Sequence, residues 1–236
     1  GPPMNFIDRP SAPSWRLQNL ALARSPAWRR TLPPALLAVL ALLSLGLLLA
    51  AAPEGIDVGA LQPAETAEGP EDWMLEIEIA PTWVIAFFVG DSVFAVAFGW
   101  FFLRLWWALP QRPLAFLGLL AALATAAADL TENALHLEGA IEALYNQAWD
   151  LPATEALTSL AALKRGAAAV AGLAFGIAFP AGGRWNEVCR TVLLAMGTVA
   201  LAGWLEPALH HAHTTVLFFF LLLVIVLGRA AGRPRG

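Results

Sequence analysis

Long apolar runs separated by short polar segments dominate the pattern of this chain. A helix that crosses a bilayer needs about 20 mostly apolar residues, and six runs reach this length. The six runs lie at about 32–52, 81–109, 113–137, 156–180, 188–205 and 208–228. The pattern therefore predicts an all-α fold, a bundle of six transmembrane helices.

The first run also resembles a secretory signal peptide. Arg29 and Arg30 precede it, and three alanines follow it at 50–52. The run is longer than the apolar core of a signal peptide, and a long segment precedes it, so we interpret it as a retained helix.

The segments outside the runs predict the remaining organisation of the chain. The segment from Trp15 to Trp28 mixes Trp, Leu and Arg, which is typical of an interfacial helix. Residues 139–150 repeat apolar positions at helical spacing, with Glu142 and Asp150 on the opposite face. We therefore predict a transmembrane domain at 32–229, an N-terminal segment at 1–31 with an interfacial helix, a loop at 53–80, a second interfacial helix at 139–150 and a tail at 230–236.

Composition supports the membrane interpretation. The chain is 58% hydrophobic and 14% charged, with a mean hydropathy of +0.64, so it has more apolar surface than one soluble core can bury. Cys189 is the single cysteine, which excludes an intramolecular disulfide and a cysteine-based metal motif. Thirteen arginines beside one lysine, with abundant Ala, Leu, Pro and Trp, favour a high-GC bacterium as the source.

The arginines predict the orientation. Those before run one, between runs two and three, between runs four and five and after run six share one side, which the positive-inside rule makes cytoplasmic. Acidic residues collect in the loops on the opposite side. We therefore predict a protein of the bacterial inner membrane with both termini in the cytoplasm.

A polar stripe interrupts the third run. Asp129, Glu132, Asn133 and His136 have offsets i, i+3, i+4 and i+7, so they share one helix face. A carboxylate facing hydrocarbon costs several kcal/mol, and such residues normally turn toward a bundle interior or a wet cavity. The stripe therefore predicts a polar site inside the bundle.

Other ionisable residues map to the same half of the spans. Asp91 lies in the second run, and Lys164, the only lysine, lies in the fourth beside Arg165. We expect Arg165 to extend toward the interface. The turn between runs five and six carries four more ionisable residues: Glu206, His210, His211 and His213. We predict that these groups share one pocket that opens to the periplasm, with His211 outside it.

A divalent metal site is the leading hypothesis. Carboxylate and imidazole ligands suit zinc, iron or manganese. The candidate ligands are Asp129, Glu132, His136, His210 and His213. Glu206 or Asp91 then acts as the base on a metal-bound water, Lys164 stabilises an anionic group, and Asn133 orients the substrate. This hypothesis predicts an enzyme that hydrolyses a lipid or another amphipathic substrate.

Three alternatives stay open. The first is a proton- or ion-coupled transporter or channel that uses Asp91, Asp129, Glu132 and Lys164 as its relay. The second is a non-catalytic sensor or subunit that binds haem or a quinone at His136 and His210. The third is a structural ion pair between Lys164 and a carboxylate. Serine hydrolase, nucleotide-binding, zincin and thiol redox motifs are absent from the sequence. Membrane lipids are the expected partners, and nothing indicates nucleic acid.

Overall fold

The computed structural model describes residues 22, 25–56, 77–110, 112–145, 154–206, 209 and 212–232. The regular structure of these residues is helical, and seven helices have described bounds, one short and six long. The helices are α1 Pro26–Arg29, α2 Leu32–Ala50, α3 Pro81–Ala108, α4 Arg112–Leu144, α5 Thr154–Ala178, α6 Arg184–Leu205 and α7 Ala212–Gly232. The six long helices are long and apolar enough to cross a membrane, which confirms the predicted six-helix bundle.

The third long helix extends beyond its predicted end. The sequence pattern ends this span near Leu137 and starts an interfacial helix at 139, whereas α4 continues without a break through Leu144. Residues 146–150 lie outside the described part of the chain, as do 57–76 of the predicted loop and 1–21 of the N-terminal segment.

The six long helices form a closed ring in chain order. Each one packs mainly against its neighbours in the chain, and α7 closes the ring against α2. Consecutive helices are antiparallel: the indole Nε1 of Trp83, at the start of α3, donates to the carbonyl oxygen of Leu48, near the end of α2, at 3.1 Å. The ring therefore has a Trp83 end, where α2 ends and α3 begins, and a Trp28 end, where α2 begins.

Prolines, glycines and short polar side chains define the helix ends. Ser25 caps α1 by accepting a hydrogen bond from the Trp28 N–H, and Pro26 occupies the first turn, where a missing N–H costs nothing. Between α5 and α6, Gly182 and Gly183 adopt φ values of 95° and 88°, which favour glycine. The glycine turn reverses the chain at the Trp28 end.

Phenylalanine side chains fill the centre of the ring toward the Trp28 end. Phe101 and Phe102 of α3 are fully buried. The Phe101 ring lies 5.9 Å from that of Phe220 on α7, and the Phe102 ring lies 4.9 Å from that of Phe175 on α5. Because α5 and α7 are not neighbours of α3 in the ring, these contacts cross its interior. This half of the bundle therefore has an aromatic core, which we call the phenylalanine plug (Phe101, Phe102, Phe175 and Phe220).

Two glycines allow α5 and α6 to approach closely. A Cβ atom added to Gly172 would lie 2.7 Å from the Cα atom of Gly197, and one added to Gly197 would lie 2.6 Å from the backbone nitrogen of Leu173. No real side chain tolerates such distances to a backbone atom, so the two backbones are in direct contact. Small residues commonly pack transmembrane helices in this way.

The surface of the bundle is apolar and part of its interior is charged. Large apolar side chains such as Leu47, Val226 and Phe219 are 73%, 62% and 61% exposed, whereas Asp129, Glu132 and His136 are buried. A soluble protein has the opposite arrangement. The exposed apolar surface fits contact with lipid, and the fold is that of a multi-pass α-helical membrane protein.

Candidate functional site: a carboxylate–lysine cluster

The centre of the candidate site is a lysine held between two carboxylates. The Nζ atom of Lys164 on α5 lies 2.9 Å from Oδ1 of Asp129 and 2.6 Å from Oε2 of Glu132, both on α4. Asp129 and Glu132 are three residues apart and share a helix face, so one ammonium group reaches both. Charge-assisted hydrogen bonds at these distances are strong. We call these three residues the triad.

The triad lies deep within its helices. Lys164 is ten residues after the first residue of α5, which places it ~15 Å along the helix axis from the Trp83 end. The side chains of Asp129 and Glu132 are 12% and 10% exposed, whereas that of Lys164 is 28% exposed. Lysine is therefore the most accessible member of the triad.

A third carboxylate, on α3, lies beside the triad. Asp91 is half-buried and interacts electrostatically with Asp129, Glu132 and Lys164, and its side chain faces the amide of Asn133. It is also ten residues into its helix, so it has a similar depth to Lys164. The structure thus brings three acidic side chains and one lysine together, and we call Asp91, Asn133 and the triad the cluster.

Asn133 is the most deeply buried member of the cluster. Its side chain is 1% exposed, and its Nδ2 atom makes no hydrogen bond of acceptable geometry to any described residue. A buried amide donor without a partner costs about 1–3 kcal/mol. Asn133 therefore marks a position where a ligand, or a change in the protonation of a neighbour, can supply the missing hydrogen bond.

The polar stripe of α4 extends one turn further than the sequence analysis recognised. Thr125 is buried, lies four residues before Asp129 on the same face, and donates from Oγ1 to the carbonyl oxygen of Ala121 at 3.0 Å. Its i−4 spacing from Asp129 was the signal that could have revealed it. Arg165 also differs from expectation: it is buried rather than extended to the interface, and its Nε donates to the Ala161 carbonyl oxygen.

His136 is fully buried against helix α3. Its ring stacks on that of Phe88, with centroids 4.1 Å apart and an angle of 20°. Its Nδ1 atom lies 2.8 Å from the carbonyl oxygen of Glu132, so Nδ1 carries the proton and donates it. The stack and the hydrogen bond hold His136 to its own helix and to α3.

The described residues of the α6–α7 hairpin do not join the cluster. His213 lies on α7, which packs mainly against α6 and α2 and is opposite α4 in the ring. Its Nε2 atom is 3.4 Å from Oγ1 of Thr214. Glu206 is exposed just after the end of α6, and His210 and His211 lie outside the described residues. Among the residues that the structure describes, the predicted site residues that come together are therefore those of α3, α4 and α5.

The described residues give no support to the metal site. They contain no group of three or more His, Cys, Asp or Glu side chains that could hold a metal ion. The physical reason is that the ammonium of Lys164 occupies the space between Asp129 and Glu132, and a cation there repels a second one. Because His210 lies outside the described residues, its role as a ligand stays a prediction.

No protein family, curated protein or solved structure matches this chain. The class of the protein follows from its own structure: it is a multi-pass α-helical membrane protein with an ionisable cluster between three of its helices.

Proposed function

We propose that the protein is a membrane transporter coupled to protons or another small cation, with the cluster as its coupling site. The observation that carries this proposal is the presence of three carboxylates and one ammonium group inside the candidate spans of three neighbouring helices. Ionisable groups at such depth typically belong to ion pathways and proton relays.

The cluster contains more carboxyl groups than ammonium groups, which distinguishes it from a purely structural ion pair. One carboxylate is enough to balance Lys164, and each further unbalanced carboxylate costs several kcal/mol in a low-dielectric interior. A proton or a cation that binds to the cluster removes this cost. The cluster is therefore suited to reversible binding of positive charge.

The rest of the bundle favours access of an ion to the cluster from one end of the bundle only. Lys164 is the most exposed member of the triad, whereas the phenylalanine plug fills the interior toward the Trp28 end. A transporter that exposes its site to one side at a time needs the other side closed. We propose that the charge enters from the Trp83 end and that the plug is the closed side.

The positions of the arginines support a specific membrane and orientation. Arg112, Arg184 and Arg229 all lie at the Trp28 end of their helices, and the positive-inside rule favours this end as cytoplasmic. In this orientation both termini are in the cytoplasm of a bacterium, and the cluster opens toward the periplasm. Lipids of the inner membrane contact the exposed apolar surface.

The metal-dependent hydrolase that led the sequence analysis fits this geometry less well. Two of its proposed ligands, Asp129 and Glu132, bind the Lys164 ammonium instead. The transporter needs only the groups that the structure brings together.

Flux measurements in proteoliposomes test the proposal. A pH-sensitive dye inside the vesicles reports proton movement when a gradient of Na⁺, K⁺, Li⁺ or a small organic amine is imposed. We expect at least one gradient to drive proton movement with the wild-type protein, and Asp129→Asn to abolish it. Glu138→Gln is the matched control, because Glu138 is exposed on the same helix.

Two results would contradict the proposal. The first is proton movement in vesicles with the wild-type protein that equals proton movement in protein-free vesicles for every gradient tested. The second is flux that Asp129→Asn leaves unchanged.

A further inference from the structure

We infer that Asp91 is the carboxyl group that takes up and releases the transported charge, that this charge is a proton, and that Asn133 is its hydrogen-bond partner. The inference rests on the proposed function and names the ion and the binding residue of the same site.

The three carboxylates of the cluster have different surroundings. Asp129 and Glu132 each bind the Lys164 ammonium at hydrogen-bonding distance, whereas no salt bridge in the described part of the chain includes Asp91. The triad therefore satisfies its own carboxylates. Asp91 is the carboxyl group of the cluster that lacks an ion pair at hydrogen-bonding distance in the described part of the chain.

The buried amide of Asn133 supports this assignment. It is buried, lacks a hydrogen bond at Nδ2 and faces Asp91. A primary amide can donate from nitrogen to a carboxylate and can accept at oxygen from a carboxylic acid. Asn133 can therefore serve Asp91 with and without its proton by rotation of the amide, which a purely structural donor does not need.

The charged groups around Asp91 come from two helices. Asp129 and Glu132 face it from α4, and Lys164 faces it from α5. Helix α2, which also packs against α3, contains no titratable residue, and the one charged residue of α1, Arg29, is exposed at the Trp28 end. His136 lies against Phe88, three residues before Asp91. Two negative neighbours and one positive neighbour therefore surround the carboxyl group.

A proton fits this site better than a metal cation. A hard metal cation needs about six oxygen ligands. The described residues contain no group of three acidic or imidazole side chains arranged to hold a metal ion. A proton needs one carboxylate oxygen and one hydrogen-bond partner, which Asp91 and Asn133 supply.

Protonation of Asp91 also changes the forces on Lys164. When Asp91 carries the proton, the ammonium is attracted only to Asp129 and Glu132, as in the observed triad. When the proton leaves to water, the Asp91 carboxylate attracts the same ammonium toward α3. Lys164, with its flexible stem, thereby links the loading of Asp91 to the contacts among α3, α4 and α5.

Infrared difference spectra between acidic and alkaline pH, recorded on the full-length protein in lipid membranes, test this inference. A buried carboxylic acid has a carbonyl band at higher frequency than one in water. We expect such a band in the wild-type difference spectrum, its loss in Asp91→Asn, and its retention in Glu138→Gln.

Asn133→Leu provides a second test that leaves the carboxyl group in place. Because a hydrogen bond lowers the carbonyl frequency, loss of the amide should shift the Asp91 band to higher frequency. Asp91→Glu should keep a band at a changed position. These two variants keep the inference testable if Asp91→Asn fails to fold.

The results that overturn the inference differ from those that overturn the proposed function. A band that persists in Asp91→Asn, a band lost only in Asp129→Asn, or a wild-type spectrum without the band would overturn the assignment of Asp91. Full proton flux in Asp91→Asn together with lost flux in Asp129→Asn would also overturn the assignment of Asp91. That result would still agree with the proposed transport function. An Asp91 band in a protein that moves no protons would instead contradict transport.

Discussion

Lys164 and Glu132 lie 32 residues apart in the chain, and their side chains meet at 2.6 Å between Nζ and Oε2. This hydrogen bond joins α5 to α4 within their membrane-spanning segments. Together with the bond from Lys164 to Asp129, it makes the α4–α5 pair the charged side of the ring. The phenylalanine plug, nearer the Trp28 end, is apolar.

Removal of the lysine charge should destabilise the bundle. Lys164→Met leaves Asp129 and Glu132 close together without their counter-ion, and loss of one partner from a buried ion pair costs about 3 kcal/mol or more. We expect a clear drop in the melting temperature of the purified protein, measured by intrinsic tryptophan fluorescence. Arg229→Gln, at an exposed position of α7, should have little effect. Equal melting temperatures for Lys164→Met and wild type would show that the triad is dispensable for stability.

The glycine contact between α5 and α6 should not tolerate a side chain. Gly172→Ala places a Cβ atom 2.7 Å from the Cα atom of Gly197, and forced overpacking typically costs about 1–3 kcal/mol. Gly166→Ala is the matched control on the same helix, because nothing lies within 4 Å of its added Cβ atom. We expect a lower melting temperature for Gly172→Ala and an unchanged or slightly higher one for Gly166→Ala, since alanine favours helix. The reverse order would refute the close helix approach.

The phenylalanine plug should prevent leakage of protons through the bundle. Phe220 is fully buried against Phe101, whereas the adjacent Phe219 is 61% exposed. We expect Phe220→Ala to increase passive proton leak in proteoliposomes and Phe219→Ala to leave it at the wild-type level. Equal leak in both variants would mean that the plug does not close the pathway.

Metal analysis separates the transporter from the metal-dependent hydrolase. Because the Lys164 ammonium occupies the position between Asp129 and Glu132, we expect no stoichiometric zinc, iron or manganese in the purified protein by mass spectrometry. His136→Ala should leave the metal content unchanged. One equivalent of metal that disappears in His136→Ala or in the His210→Ala/His213→Ala double variant would favour the hydrolase.

Much of the fold follows from the apolar pattern, because a span of about 20 apolar residues has few alternatives to a transmembrane helix. The end of α4 was harder to locate, since residues 138–144 mix polar and apolar side chains and resemble an interfacial helix as much as a continued span. Packing of Ala140, which is fully buried, favours the continuous helix.

The face shared by Asp129, Glu132 and His136 also follows from the sequence, because helical spacing determines it. The partner of Lys164 does not follow from the sequence, because it depends on the relative register of α4 and α5. Hydropathy also does not predict the order of the helices around the ring. This order places α7, which carries His213 near its first residue, opposite α4 and the cluster.

Nitrogen NMR of Lys164 tests the central claim, a charged lysine held by two carboxylates inside the membrane, most directly. Lys164 is the only lysine, so lysine labelled with ¹⁵N gives one side-chain signal for the protein in lipid membranes. We expect an ammonium signal that is immobile and dipole-coupled to the carboxylate carbons of ¹³C-labelled aspartate and glutamate, with the glutamate coupling lost in Glu132→Gln. A mobile ammonium signal without carboxylate couplings, unaffected by Glu132→Gln, would contradict the account.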